Sequence, residues 1–305
     1  MSTVRRDAVR VVVPATSANL GPAFDSAGLA LAVYDDLVAM ATEDEGVLVE
    51  VSGEGAESLP RDEQHLVVRS MRATFSAMDI VVPGFVLRCI NSIPHGRGLG
   101  SSAAAIIGGI VLARAMVDDG HERLTDDDVL QLALAQEPHP DNIAAALHGG
   151  LTIAWLEGDG RADVARMDVH PGLRPVVMVP SASLSTAQAR TLLPESVSLE
   201  QATVNIGRSA LLVHALTMDP TRLMAATEDR IHQASRAAAY PASLTLVDVL
   251  RDAGVPAVVS GAGPSVLAFV DDETRQHVAL ADAGEWIVRE IAVSPTGARE
   301  LPLVP

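Results

Sequence analysis

The run Ile93-Pro94-His95-Gly96-Arg97-Gly98-Leu99-Gly100-Ser101-Ser102-Ala103-Ala104-Ala105 sets three glycines within five residues, between two apolar stretches. The stretch before it, 85–93, reads as a strand. The stretch after it, 101–117, is small and apolar and reads as a buried helix. Strand, glycine loop and helix start together make a cradle for phosphate. Glycine lets the backbone approach oxygens closely, and the first free amides of the helix point at them. Ser101 or Ser102 is placed to cap the helix, and one hydroxyl is placed to reach a metal on the phosphates.

Three phosphate-loop readings compete with a plain tight turn. A Walker loop needs Gly-Lys-Ser/Thr, but all 22 basic residues are arginine, which also removes the strand lysine of protein kinases. The dinucleotide reading fits Gly98-Leu99-Gly100-Ser101-Ser102-Ala103 to G-x-G-x-x-A, with Asp118 and Asp119 about 20 residues on, where a ribose-binding acid belongs. Pro94 and the Gly96-Arg97 pair interrupt its direct run from strand to turn. The third reading is the Gly-Leu-Gly-Ser-Ser-Ala loop of small-molecule kinases.

At 305 residues the expectation is about two domains. Hydrophobic residues make up 48% and aromatic residues 3%, so the cores are aliphatic and base stacking on aromatic platforms is disfavoured. A net charge of −17 argues against nucleic acid and anionic membranes as partners. An anionic substrate must then be held by local arginines and helix ends. The single cysteine, Cys89, excludes an internal disulfide and a cysteine metal cluster. Neither a signal peptide behind 1–10 nor a membrane-spanning run is expected, so the chain reads as cytoplasmic.

A strand at 9–13 leads into a loop at 14–28 whose polar candidates are Asn19 and Asp25; both also suit ordinary turns. Strands are expected at 29–41 and 47–52 and a helix at 64–78. Thr125-Asp126-Asp127-Asp128 is a capping-box-like start for a helix ending near Gln136. Glu137-Pro138-His139-Pro140-Asp141-Asn142 is then a rigid polar turn, because both prolines fix its backbone. Asp141 can cap a helix over 143–148, and His139 can be a plain turn residue. A polar hinge around Gly158-Asp159-Gly160 divides the chain into 1–157 and 158–305. The second part carries a strand at 175–179, helices opening at Ser185 and spanning 199–218, and a glycine turn, Gly261-Ala262-Gly263-Pro264-Ser265, between strands 257–260 and 266–270. A helix at 274–283 and a last strand at 286–293 close it. Arg190 and Arg236 are candidate carboxylate clamps, or surface residues.

Three motifs stand in order: Pro14-Ala15-Thr16-Ser17-Ala18-Asn19-Leu20-Gly21-Pro22, the run from Pro94 to Ala105, and Ser260-Gly261-Ala262-Gly263-Pro264-Ser265. The chain resembles the GHMP superfamily of small-molecule kinases over nearly its whole length. Phe24-Asp25-Ser26, His139-Pro140-Asp141-Asn142, the run from Ser185 to Arg190 and the run from Asp229 to Arg236 make it most similar to the homoserine kinases. The resemblance implies an α+β, two-domain fold, N-terminal ribosomal-protein-S5-domain-2-like and C-terminal ferredoxin-like. It implies ATP-dependent phosphorylation of homoserine, on the route to threonine. Pro94, His95, Gly96, Arg97, Gly98, Leu99, Gly100, Ser101, Ser102, Ala103 and Ala104 would bind ATP, and Glu137 with Ser102 would hold Mg²⁺. Asn19 and Asp141 would sit by the attacking hydroxyl, and Asp25 and His139 would meet the substrate ammonium. Arg190 and Arg236 would take its carboxylate, with Thr186 in the same pocket. The partner implied is this small molecule, with a homodimer as the candidate assembly. Ala23 and Pro138 stand where these families usually carry glycine. A positive φ at Ala23 would be strained.

Overall fold

The computed structural model describes residues 4–281 and 286–303. The first part of the chain forms β1 (Val9–Ala18), β2 (Ala27–Thr42), β3 (Gly46–Gly53), α1 (Leu66–Ala77), β4 (Gly84–Asn91) and α2 (Ser101–Ala115). It continues through the single turn α3 (Gly120–Arg123), then α4 (Asp126–Leu134), α5 (Pro140–His148), β5 (Leu151–Leu156) and β6 (Ala162–Met167). The second part forms β7 (Arg174–Pro180), α6 (Thr186–Arg190), α7 (Leu199–Thr217), α8 (Leu223–Ala226), α9 (His232–Ser235) and α10 (Pro241–Asp252). It ends with β8 (Ala257–Val259), β9 (Val266–Val270), β10 (Trp286–Glu290) and β11 (Arg299–Leu301).

β1 is longer than its valine run. It continues through Pro14 because the pairing with β2 shifts register between Pro14 and Ala15, an irregularity that accommodates a residue without an amide proton. The loop expected over 14–28 is therefore only the short link between β1 and β2. A seven-stranded sheet runs β11-β1-β2-β4-β3, with β5 added to β2 and β6 to β5. Among the described residues only its β3–β4 pair is parallel. That excludes the doubly wound parallel sheet of the dinucleotide reading.

The second sheet, β10-β7-β9-β8, is antiparallel. Numbered within itself it runs 4-1-3-2, the ferredoxin-like arrangement. The α+β architecture is the one expected. The hinge at 158–160 is a correction. Glu157 to Arg161 is the turn of the β5–β6 hairpin, closed by the Glu157 amide on the Arg161 carbonyl at 2.7 Å, so the change of sheet comes after Met167. A glycine-rich polar turn has the same composition whether it joins domains or strands. The helix expected at 274–283 is a 3₁₀ segment, Arg275–Ala281, and 282–283 lie outside the described residues. The strand expected to reach 293 stops at Glu290. β11 was not foreseen.

Apart from Ser101, Ser102 and the ion-paired Arg114, α2 is apolar on every side, as a helix buried nearly all round must be. Its Ile106, Ile107, Ile110 and Leu112 are fully buried among β1, α1 and α5. Each such side chain contributes about 1.5–3 kcal/mol of burial, which holds the end of the glycine loop in place. Thr125 and Asp128 form the expected capping box on α4. Cys89 is buried, and among the described residues no helix is long and apolar enough to cross a membrane.

Candidate active site

The β4–α2 loop, the β1–β2 link, the α4–α5 turn, α6 and the β8–β9 loop meet around a cavity of about 160 Å³. In the β4–α2 loop, Gly96, Gly98 and Gly100 all have positive φ. Gly100 is the N-cap of α2 and no side chain caps the helix. This corrects the expectation that Ser101 or Ser102 would do so, and it leaves the first amides of α2 available. A Cβ on Gly98 would lie 2.2 Å from the Ser260 carbonyl, and one on Gly100 1.9 Å from Thr16 Oγ1. The loop is thus clasped from both sides. Ser260 Oγ donates to the Gly98 carbonyl at 2.7 Å and Asn19 Nδ2 to the Gly261 carbonyl at 2.9 Å, so the β8–β9 glycine turn covers the loop.

Gly96, Gly98, Gly100, Ser101, Ser102 and Ala103 line this cavity. Pro94, His95, Arg97, Leu99 and Ala104 do not. Leu99 and Ala104 are core residues. Arg97 turns away, its guanidinium donating to the carbonyls of Pro180 and Ser181 at the end of β7, and so staples the loop to the second sheet. His95 and Ala104 line a neighbouring cavity of about 220 Å³ with Leu59, Leu66 and Asn91. This second cavity shares Ser101 and Ser102 with the first. Burial lowers the pKa of His95, so it is neutral near pH 7.

In the β1–β2 link, Asn19, Leu20 and Asp25 all adopt positive φ. Three such non-glycine residues together are a local cost that packing must offset. Asn19 Oδ1 accepts the Asp25 amide at 2.9 Å, which fixes where Asp25 points. Ala23 is not among the positive-φ residues, so its replacement of glycine carries no strain of that kind.

The α4–α5 turn brings Glu137, His139 and Asp141 to the cavity. α5 starts at Pro140 with His139 in the N-cap position, so Asp141 is in the first turn and does not cap a helix at 143. Proline suits that first position because its missing amide proton is not needed there. Glu137 Oε1 and His139 Nδ1 are hydrogen-bonded. Asp141 is 2% exposed, and burial pushes its carboxyl pKa up to about 6 against the amide of Asn142, with the Asp25 charge adding to the rise.

Thr186, Arg190 and Arg236 line another part of the cavity wall. Arg190 Nη2 donates to Asp25 Oδ1 at 2.5 Å. Arg236 is 2% exposed. Its Nε donates to the His232 carbonyl at 3.1 Å, and it forms no ion pair among the described residues. Sequence reasoning missed the residue that organises this wall. The Phe24 ring stacks on His232 with centroids 4.1 Å apart. The guanidinium carbons of Arg190 and Arg236 lie 5.3 and 5.5 Å from its centroid. It also missed Asn142, whose Oδ1 accepts from Thr16 Oγ1 at 2.7 Å. The only sequence signal for either was membership of a motif.

A glycine-rich loop and a helix start share one cavity with two arginines and a buried acid, and comparison with known proteins gives this arrangement its context. Residues 65–150 match the family described as GHMP kinases N terminal domain, and residues 212–285 match GHMP kinases C terminal. A homoserine kinase of Streptomyces avermitilis is 50% identical, over 98% of this chain and 97% of its own. The chain belongs to the GHMP kinases, among the homoserine kinases. Another of these, from Clavibacter michiganensis subsp. michiganensis, is 49% identical over 98% of this chain and 95% of its own. The crystal structure of homoserine kinase from Cytophaga hutchinsonii superposes with a TM-score of 0.85 at 26% identity, covering 98% of this chain and 99% of that one. The L. major mevalonate kinase structure shares the fold alone, with a TM-score of 0.71 at 14% identity over 97% and 100% of the two chains.

Proposed function

We propose that the chain transfers the γ-phosphoryl group of ATP to the side-chain hydroxyl of L-homoserine, giving O-phospho-L-homoserine and ADP for threonine synthesis. The observation that carries this reading is Arg236, a guanidinium 2% exposed and without an ion pair among the described residues, at the wall of the cavity that the phosphate cradle opens into. A buried cation of this kind is costly unless an anion joins it. A substrate carboxylate supplies that anion and makes bidentate contacts. Asp25 offers the charge for an ammonium, and His139 and Thr186 line the same cavity.

ATP would sit with its phosphates on the amides of the β4–α2 loop and the start of α2. Its base would enter the second cavity, which is apolar at Leu59 and Leu66. Glu137 and Ser102 offer two hard oxygen donors at one edge of the cradle. Among the described residues no group of three or more His, Cys, Asp or Glu side chains could hold a metal. This suits Mg²⁺, which takes one or two protein ligands and completes its shell with phosphate oxygens and water. Bound there, the ion would neutralise phosphate charge.

In the transfer the homoserine oxygen forms a bond to the γ-phosphorus as the bond to the bridging β,γ-oxygen breaks and ADP leaves. The hydroxyl proton passes to Asp141, whose raised pKa makes its carboxylate a better acceptor than a solvated one. Asn19 orients the same hydroxyl. Positioning and charge stabilisation supply most of the rate, because the transition state is loose. The test is ADP release with ATP and Mg²⁺ across homoserine, serine, threonine, mevalonate and no acceptor. The reading expects homoserine to exceed the others clearly. Equal rates with all of them would refute it.

A further inference from the structure

Asp25 reaches the cavity from the β1–β2 link and Arg190 from α6, 165 residues apart in sequence, and they meet at 2.5 Å. Among the described residues each is the other's only side-chain hydrogen-bond partner, and Arg190 Nε is buried without one. Both side chains are about a third exposed or less, at 33% and 29%, so the pair is only partly screened by water. The backbone of Asp25 is held by its positive φ and by Asn19, and Arg190 lies against the Phe24 ring. Arg236, deeper in the wall, is unpaired.

We infer that this pair makes ammonium binding conditional on a carboxylate in the same ligand. The inference rests on the proposed reading of Asp25 and Arg190 as acceptor-binding groups. An amino acid can exchange the internal pair for two new ones, its ammonium taking Asp25 while its carboxylate joins Arg190 and Arg236. A ligand with an ammonium alone must draw Asp25 from Arg190 and leave that guanidinium without a counter-charge. A ligand with a carboxylate alone can use Arg236 and leave the pair closed. The selectivity is therefore asymmetric. Arg190 acts against amino alcohols through Asp25, while Arg236 holds the carboxylate directly.

The experiment measures kcat/KM for L-homoserine, and the inhibition constants of 3-aminopropan-1-ol and 4-hydroxybutanoate against it. It uses the wild-type chain, Arg190→Ala, Arg190→Gln and Asp25→Asn. Homoserine use should fall in all three variants. Affinity for 3-aminopropan-1-ol should rise about tenfold in both Arg190 variants, because Asp25 no longer has an internal partner to lose. Inhibition by 4-hydroxybutanoate should strengthen in Asp25→Asn, because the substitution releases Arg190 to join Arg236 on the carboxylate. The Arg190→Gln variant guards against a packing defect in Arg190→Ala. An amino alcohol that binds both Arg190 variants no better than wild type would overturn the inference. Failure of the wild-type chain to phosphorylate homoserine would overturn the function proposed above instead.

Discussion

The carboxylate of Asp141 accepts the backbone amide of its neighbour Asn142 at 2.7 Å, yet its pKa is pushed up to about 6. One backbone hydrogen bond favours the charged form, and nearly complete burial disfavours it more strongly. Under limiting homoserine, kcat/KM reports groups of the free enzyme. It should therefore fall as pH drops through about 6, because the protonated carboxyl cannot take the hydroxyl proton. Asp141→Asn should lower kcat by about 10²-fold or more, leave the ATP KM within about threefold of wild type, and lose this acid limb. A variant of unchanged rate would remove Asp141 from the chemistry.

The same shift has a stability consequence of opposite value to the cell. An unfolded aspartate titrates near its ordinary value of about 3.9, below the folded value of about 6. Below about pH 4 both states hold the proton. As pH rises from there through 6 the unfolded chain releases it first, and stability is lost by up to about 3 kcal/mol. Asparagine of the same shape never ionises. The melting temperature of Asp141→Asn should match wild type near pH 4 and exceed it by a few degrees at pH 7.5. A difference independent of pH would show that the buried charge is not its cause.

Gly98 and Gly96 both have positive φ, but only Gly98 is enclosed. Its Cβ would meet the Ser260 carbonyl at 2.2 Å, whereas one on Gly96 would find its nearest neighbour, Ser183 Cβ, at 3.4 Å. Gly96→Ala should cost about 1–2 kcal/mol, the backbone penalty alone. Gly98→Ala must also displace the β8–β9 turn. It should cost at least about 2 kcal/mol more and raise the ATP KM tenfold or more, as read by chemical denaturation and initial rates. Equal costs at the two positions would mean the turn does not clasp the loop.

How far the site was legible followed the range of the forces that build it. The glycine loop could be read because glycine's backbone freedom and the helix that follows are local properties. The rigid α4–α5 turn could be read for the same reason, through its two prolines. The β5–β6 hairpin was mistaken for a boundary because Gly158, Asp159 and Gly160 serve either purpose. β11 is three residues long and owes its existence to pairing with β1 across nearly the whole chain. Phe24 and His232 stack across 208 positions, and no periodicity announces such a contact. Asp25, Arg190 and Arg236 were candidates by residue type, and the resemblance gave them one pocket, since an isolated arginine looks the same on a surface as in a pocket. What the sequence could not show was that Asp25 and Arg190 would face each other.

Arg236 gives the sharpest separation of stability from function. Its guanidinium is buried, with a backbone carbonyl and two aromatic rings around it and no carboxylate partner among the described residues. Burying a charge without a counter-charge costs free energy that methionine, of similar length and apolar, would not incur. Arg236→Met should therefore melt no lower than wild type in the absence of substrate. Its homoserine KM should rise by about 100-fold, the loss expected for a charged hydrogen-bonded contact worth about 2–3 kcal/mol. The ATP KM should stay within about threefold, since Arg236 contacts His232, Phe24 and Tyr240 and, among the described residues, no residue of the β4–α2 loop. Thermal melts with and without homoserine provide a second check. Wild type should gain stability on adding the amino acid, and the variant should gain little at the same concentration. A variant that melts well below wild type would show that Arg236 holds the fold together. An unchanged homoserine KM would show that the carboxylate binds elsewhere.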